Sequence, residues 1–167
     1  MAERMPMPIP TAHDYPRILI AGLGNLLMKD DGIGIHAVNE LLKNPPRHTL
    51  VADVGTRLLH ALHLFEEAEH AIVIDAMSAG MPPGTIYLMN GGYIANEKRR
   101  TSLHELGLYS AMRFIEEKKR PRIHILGVEP ETIDYGMELT KTLQRALPQV
   151  CYRAREIVMD LIHRSRR

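Results

Sequence analysis

The sequence has little of several features that would narrow its class at once. A single cysteine, Cys151, among 167 residues permits no internal disulfide and none of the paired cysteines of structural zinc or redox motifs. An excess of one charge is also missing, because 21 Lys and Arg balance 20 Asp and Glu for a formal net charge of +1. This balance disfavours a general nucleic-acid binder, which needs a basic surface against phosphates. We therefore expect a reducing, cytoplasmic setting and no nucleic-acid partner.

Long apolar runs and aromatic residues are equally scarce. No run reaches the roughly 18 apolar residues that a membrane span requires, so no membrane association is expected. With two Phe and no Trp, the core must consist of aliphatic residues and methionine. Residues 1–16 are rich in proline and have no signal-peptide pattern, which predicts a flexible extension. Residues 17–167 then suit one domain, the usual size being ~100–200 residues.

Short apolar runs alternate with helical patterns along this domain. Strands are predicted at residues 17–22, 49–54, 70–75, 85–89 and 123–128. Helices are predicted from Asp30 and Asp31 to about residue 44, over 57–67, from His104, and over 136–164 with a kink or break near Pro148. The alternation predicts a three-layer α/β sandwich, with helices on both faces of a twisted, mainly parallel sheet of about five strands. Strand 85–89 follows a short loop and is expected to pair antiparallel at an edge.

Polar side chains follow the predicted strands where ligands collect in open α/β sheets, beyond the carboxyl ends. They are Asn25, Asp30, Asp31, Asp53, Thr56, Asp75, Glu129 and Glu131. The first strand exit, Gly22-Leu23-Gly24, begins like a dinucleotide fingerprint, but Leu27 occupies the position of the third glycine. Nucleotide binding is therefore disfavoured.

Three residues together form a possible metal donor set. Asp31 and Asp75 supply carboxylates, and His104 supplies an imidazole, a combination that suits zinc or nickel. Three protein ligands leave coordination positions open, as in catalytic or substrate-sensing sites. Each residue also has a structural alternative: Asp31 as a helix cap, Asp75 as a turn residue bonded near Ser78, and His104 as a polar residue at a helix start.

Familiar hydrolase templates do not fit. His104 and Glu105 begin an H-E-x-x-H pattern, but Leu108 stands where the second histidine is needed. A G-x-S-x-G elbow is missing, and Cys151 lies in a helical pattern without an activating setting, which favours a small core residue.

Several motifs in a fixed order resemble the hydrogenase maturation endopeptidases, the processing proteases for the large subunit of nickel-iron hydrogenases. The main ones are GLGNLLMKDDGIG (22–34), VIDAM (73–77) and SLHELGL (102–108), supported by DVGT (53–56), PGT (83–85) and GVEPE (127–131). The resemblance covers about residues 17–148 and implies a phosphorylase/hydrolase-like α/β fold. It also implies removal of a short C-terminal extension from the large-subunit precursor after nickel insertion.

The resemblance further implies that Asp31, Asp75 and His104 bind a metal in the substrate cleft. The nickel carried by the precursor would be the recognition element, and zinc or cadmium could occupy the same site in vitro. Some family members have Glu at the position of Asp31. We expect Asp53 to act as a general base or to support the ligands, and we expect a monomer.

Two alternatives remain open from the sequence. GLGN also resembles the opening of peptidyl-tRNA hydrolases, although the following Pro-Gly and a downstream His-Asn pair are missing. A non-catalytic, nickel-dependent chaperone of the same fold is the second alternative. The polar segment 91–101, with its basic residues 98–100, is a candidate for closing over the precursor's tail.

Overall fold

The computed structural model describes residues 15–90 and 103–165, without the side chains of residues 103–106. Its strands are β1 (Ile18–Leu23), β2 (Thr49–Gly55), β3 (His70–Ala76), β4 (Ile86–Asn90) and β5 (Arg122–Val128). Its α-helices are α1 (Ile33–Leu42), α2 (Leu62–Glu67), α3 (Leu103–Met112) and α4 (Lys141–Ser165). Single 3-10 turns over Lys29–Gly32, Leu58–Ala61 and Glu117–Lys119 precede α1, α2 and β5. The predicted alternation is confirmed.

The strands form one sheet in the order β2-β1-β3-β5-β4. All neighbours are parallel except β4, which pairs antiparallel with β5 at the edge, as predicted. In register, Gly22 lies between Asp53 on β2 and Ile74 on β3, and Asp75 lies opposite Gly127 on β5. The carboxyl ends of the four parallel strands therefore share one edge, which we call the carboxyl edge.

Helices cover both faces of the sheet, so the central strands are buried on both sides. Ile18, Ile20 and Ile72 pack in one cluster with residues of α1 and α4. The alternate residues, such as Leu19 and Val73, pack in a second cluster with residues of α2 and α3. Burial on both faces explains why these strands read as continuous apolar runs without polar alternation.

Glycines let α1 approach the sheet more closely than a side chain would allow. A Cβ atom on Gly34 would lie 2.2 Å from the carbonyl oxygen of Ile74 and 2.3 Å from that of Leu23. The start of α1 is thus in backbone contact with the ends of β1 and β3. This contact sets the acid-bearing turn Lys29–Gly32 over the carboxyl edge.

The C-terminal region differs in one respect from the prediction. Helix α4 begins at Lys141 and not near residue 136, and it continues through Pro148 to Ser165 without a break. Residues 129–140 instead form an irregular segment, which we call the strap, because backbone N–H groups within it are bonded to the turn before α1. Cys151 is a buried core residue, as expected, and burial raises the pKa of its thiol to about 11.

Two further predictions can be compared with the described residues only in part. Residues 1–14 of the predicted extension lie outside them, and Tyr15 at its end stacks on the ring of His48 with centroids 3.7 Å apart. Within the described ranges, none of the helices is long and apolar enough to cross a membrane.

Candidate active site

Asp31 and Asp75 both lie against the loop after β1, Asp31 at Gly24 and Asn25 and Asp75 at Gly24. The backbone N–H of Asn25 donates to Oδ2 of Asp31 at 2.8 Å. A Cβ atom on Gly24, the preceding residue, would lie 3.7 Å from Oδ1 of Asp75 and 1.9 Å from the carbonyl oxygen of Asp31. Gly24 has φ +118°, so its conformation and its space both require glycine. The structure thus brings together two of the three predicted metal ligands.

Asp75 is a buried carboxylate at the end of a buried strand. Only 2% of the residue is exposed, and its Oδ1 accepts the N–H of Ala76 at 2.9 Å. An ionised carboxylate at such a position requires donors or a cation to offset its lost hydration. The turn N–H groups of Ala79 and Gly80, close to Ser78, donate to Glu129. The structure therefore places Asp75 at the carboxyl edge, and its role as a metal ligand stays a prediction.

His104 and Asp53 are the other predicted site residues. His104 is the second residue of α3, but its side chain lies outside the described residues, so its place in the donor set stays a prediction. Among the side chains that the structure describes, which leave out that of His104, no three or more His, Cys, Asp or Glu are grouped to hold a metal. Asp53 is exposed on β2, and its Oδ1 lies 3.4 Å from the Cβ position of Gly55. The carbonyl oxygen of Gly55 accepts the N–H of Gly24 at 3.3 Å, which places Asp53 at the same edge.

Asp30 has a role that the sequence did not assign. The residue is fully buried, and its carboxylate accepts four hydrogen bonds from the strap. Oδ2 accepts the N–H of Glu131, the N–H of Thr132 and the hydroxyl of Thr140, at 2.9, 3.0 and 2.9 Å. Oδ1 accepts the N–H of Thr140 at 2.8 Å. Asp30 therefore fastens the strap to the turn that carries Asp31. In the sequence, the one sign of this role is that Asp30 and Asp31 are adjacent acids.

Glu129 is the third buried acid of the carboxyl edge. Its Oε2 accepts the N–H of Ala79 at 2.8 Å and the hydroxyl of Tyr87, and its Oε1 accepts the N–H of Gly80 at 3.2 Å. Burial acts to raise the pKa of Glu129, but the hydroxyl and backbone donors outweigh burial and hold it below its usual value. Burial and the adjacent carboxylate raise the pKa of Tyr87 to about 12. Glu129 therefore has a structural role, because its hydrogen bonds connect the 78–80 turn to β4.

Four acids of the carboxyl edge thus fall into two pairs. Asp30 and Glu129 collect backbone donors and order the loops around the edge. Asp31 and Asp75 lie beside Gly24 and Asn25, where a third ligand from α3 would complete an open set of two oxygens and one nitrogen. Such a set can hold a borderline divalent ion next to a bound polypeptide.

Comparison with known proteins relates this chain to hydrogenase maturation proteases. The model of the hydrogenase maturation protease family (HycI) matches residues 35–157, a range that includes Asp75 and His104 and begins after Asp31. Hydrogenase 2 maturation protease of Escherichia coli K12 is 32% identical over 160 residues, covering 89% of this chain and 97% of that protein. Hydrogenase expression/formation protein HupD of Bradyrhizobium diazoefficiens is 31% identical over 139 residues, covering 79% and 72%.

Solved structures extend the likeness to the fold. The hydrogenase maturating endopeptidase HybD of E. coli superposes with a TM-score of 0.77 at 25% identity, covering 86% of this chain and 93% of that one. The [NiFe] hydrogenase maturation protease HybD of Thermococcus kodakarensis gives 0.72 at 30% identity, covering 85% and 99%. Sequence and fold agree, and the chain belongs to the hydrogenase maturation protease family.

Proposed function

We propose that this chain is the endopeptidase that removes the C-terminal extension from the nickel-loaded large-subunit precursor of a nickel-iron hydrogenase. One observation carries the proposal beyond family membership: Asp31 and Asp75 both lie against Gly24, in the loop after β1 at the carboxyl edge. The relatives named as hydrogenase maturation proteases support the choice of partner over peptidyl-tRNA or a chaperone client. The single cysteine is compatible with action in the cytoplasm.

In this proposal, Asp31, Asp75 and His104 contact the nickel that the precursor carries. Each described carboxylate is oriented by a backbone N–H, from Asn25 for Asp31 and from Ala76 for Asp75. Fixed carboxylates lose less conformational entropy when they bind an ion, which favours a loaded precursor over an empty one. Zinc or cadmium suits the same donors and would serve as a probe in vitro.

Cleavage also requires a base for the attacking water. Asp53 is our candidate, because it is exposed near the end of β2. Its neighbour Gly55 is hydrogen-bonded to Gly24, the residue next to the two carboxylates. A bound metal would supply charge stabilisation at the scissile carbonyl. Asp31 and Asp75 would hold the cut site in position, and Asp53 would accept the proton of the water.

The test is cleavage of purified precursor, loaded with nickel or free of it. We expect cleavage of the loaded form alone, and we expect Asp75→Asn and His104→Ala each to lower kcat/KM by about 100-fold or more. Asp160→Asn, an exposed acid on α4, is the matched control and should cleave normally. Normal processing by both site variants would refute the site assignment. Equal cleavage of the nickel-free precursor would refute nickel recognition, and binding without cleavage would favour a chaperone.

A further inference from the structure

Four large apolar side chains are exposed on two adjoining segments next to the candidate active site. They are Leu27, Ile133, Tyr135 and Met137, each at least half exposed and Tyr135 84% exposed. Single exposed apolar residues are ordinary on protein surfaces, but a group of them marks an interaction site. We call these four residues the docking patch.

Backbone hydrogen bonds bring the two segments of the docking patch together. The N–H of Gly136 donates to the carbonyl oxygen of Leu27 at 2.9 Å, and the N–H of Lys29 donates to the carbonyl oxygen of Gly136 at 2.7 Å. Tyr135 and Met137 flank Gly136, so both lie beside Leu27. The two segments that carry the patch, the strap and the turn before α1, therefore meet at Leu27 and Gly136.

The docking patch is held in place although it is exposed. Asp30 fastens the strap on both sides of the patch, at Glu131 and Thr132 before it and at Thr140 after it. The ring of His36 bonds to the carbonyl oxygen of Met137 at 3.2 Å. A loosely held loop could turn apolar side chains inward, but this strap keeps them at the surface, as a preformed binding surface requires.

The docking patch is also directly connected to the site. The N–H of Leu27 donates to the side-chain oxygen of Asn25 at 3.0 Å, and the N–H of Asn25 donates to Asp31 at 2.8 Å. Two hydrogen bonds thus separate the patch from a proposed metal ligand. A protein whose tail lies against Asp31 and Asp75 must place part of its surface over or beside the patch.

We propose that the docking patch binds the folded body of the large-subunit precursor through an apolar surface bordered by basic residues. This inference rests on the proposed function, which identifies the precursor as the partner. Three exposed acids of the strap, Glu131, Asp134 and Glu138, outnumber the one lysine at the patch, Lys29, whose side chain lies along Gly136, and we infer the basic border from this acidic excess. An apolar centre rich in Tyr and Met with a charged rim is typical of protein interfaces.

The chain offers a matched pair of variants for the test. Tyr135→Ser with Met137→Ser removes two patch residues. Tyr152→Ser with Met159→Ser removes the same residue types from the surface of α4, where they are 54% and 65% exposed. Circular dichroism and thermal unfolding would verify that both double variants fold like the parent chain.

Kinetics and binding with nickel-loaded, full-length precursor then decide the proposal. We expect the patch variant to raise KM by about tenfold or more with kcat within about twofold, because docking is separate from bond cleavage. The α4 variant should match the parent chain. Unchanged KM in the patch variant would overturn the docking proposal while leaving the protease function intact.

Binding measured by surface plasmon resonance tests the docking patch even if the proposed function fails. If the parent chain binds the precursor without cleaving it, the proposed function fails. The docking patch is then supported if its double variant weakens binding by about tenfold, and it is overturned if binding is unchanged. A parent chain that neither binds nor cleaves the precursor would overturn both.

Discussion

The two ends of the sheet differ in whether their buried polar side chains are charged or neutral. At the carboxyl edge, the buried charged side chains within the described residues are Asp30, Asp75 and Glu129. At the amino end, two half-buried histidines from adjacent strands share a hydrogen bond, with Nδ1 of His70 and Nε2 of His124 3.0 Å apart. Burial, with the nearby Arg122, lowers the pKa of both imidazoles. The histidines are therefore kept neutral near pH 7, whereas the donors around Glu129 favour its ionised form.

The difference lies in the partners that each end supplies. Backbone N–H groups of the strap and of the 78–80 turn converge on Asp30 and Glu129, and they offset the cost of burying a charge. At the amino end, Nδ1 of His124 lies 3.1 Å from the side-chain oxygen of Asn90, and a neutral imidazole is sufficient for this hydrogen bond. Charge is thus retained at the edge where the candidate active site lies.

The largest effect is expected from Gly24→Ala, between the two site carboxylates. Its Cβ would lie 1.9 Å from the carbonyl oxygen of Asp31, so backbone must move, and we expect a loss of about 4 kcal/mol in unfolding free energy together with loss of cleavage. Gly80→Ala is the control, since Gly80 also has positive φ but nothing lies within 4 Å of its Cβ position. The control should lose about 1 kcal/mol. If urea unfolding gave equal losses of unfolding free energy for Gly24→Ala and Gly80→Ala, the loop at Gly24 would tolerate the movement and the prediction would be wrong.

The second effect concerns the bonds between Asp30 and the strap. Asp30→Ala removes a buried carboxylate and leaves the N–H groups of Glu131, Thr132 and Thr140 without their acceptor, and we expect a loss of about 3 kcal/mol in unfolding free energy. Asp134→Ala, an exposed acid of the same strap, should lose less than about 1 kcal/mol. Urea unfolding of both variants measures the difference. A loss below about 1 kcal/mol in Asp30→Ala would mean that water replaces the carboxylate.

The third effect is a pH dependence at Glu129. Its folded-state pKa is lowered from 4.5, so its contribution is present above that pH and is lost as the pH falls through the lowered value. We expect Glu129→Gln to lose about 2 kcal/mol near pH 7, with a smaller gap from the parent chain in acid. Tyr87→Phe serves as the companion variant, because it removes the donor and keeps the carboxylate. A gap that stays constant down to about pH 3 would contradict the assignment.

The smallest effect is expected at the amino end. Because the folded-state pKa of His124 is lowered from 6.5, its contribution is present above pH 6.5 and is lost as the pH falls below that value. His124→Gln should lose about 0.5–1 kcal/mol near pH 7 and should flatten the acid dependence around pH 6. Cleavage should not change, and His163→Gln, an exposed histidine of α4, should behave like the parent chain. A large loss of cleavage would link this end to the site.

Local patterns predicted the secondary-structure elements and the sheet well. Strand 70–75 was read from an apolar run, and β3 spans His70–Ala76. The rule that parallel strands end at one edge brought Asp31 and Asp75 together, although 44 residues separate them in the sequence. This worked because strand direction and burial leave a repeating pattern in the amino-acid order.

The rest depended on contacts that leave no such pattern. Asp30 finds its donors 101 to 110 residues further along, in a short polar segment without periodicity. The same bonds explain why α4 starts at Lys141, since the N–H of Thr140 is directed to Asp30. Helical propensity extended the predicted helix back to residue 136, and tertiary hydrogen bonds ended it earlier.

The long separation between Asp30 and the strap also orders events during synthesis. When the ribosome has made the first three strands, the turn that bears Asp31 already exists as sequence, but the N–H groups that fix it have yet to be translated. Contacts between such distant segments form slowly and late, because a long loop must first close. The turn that bears Asp31 is therefore fixed by these hydrogen bonds only after the strap, residues 129–140, has been synthesised.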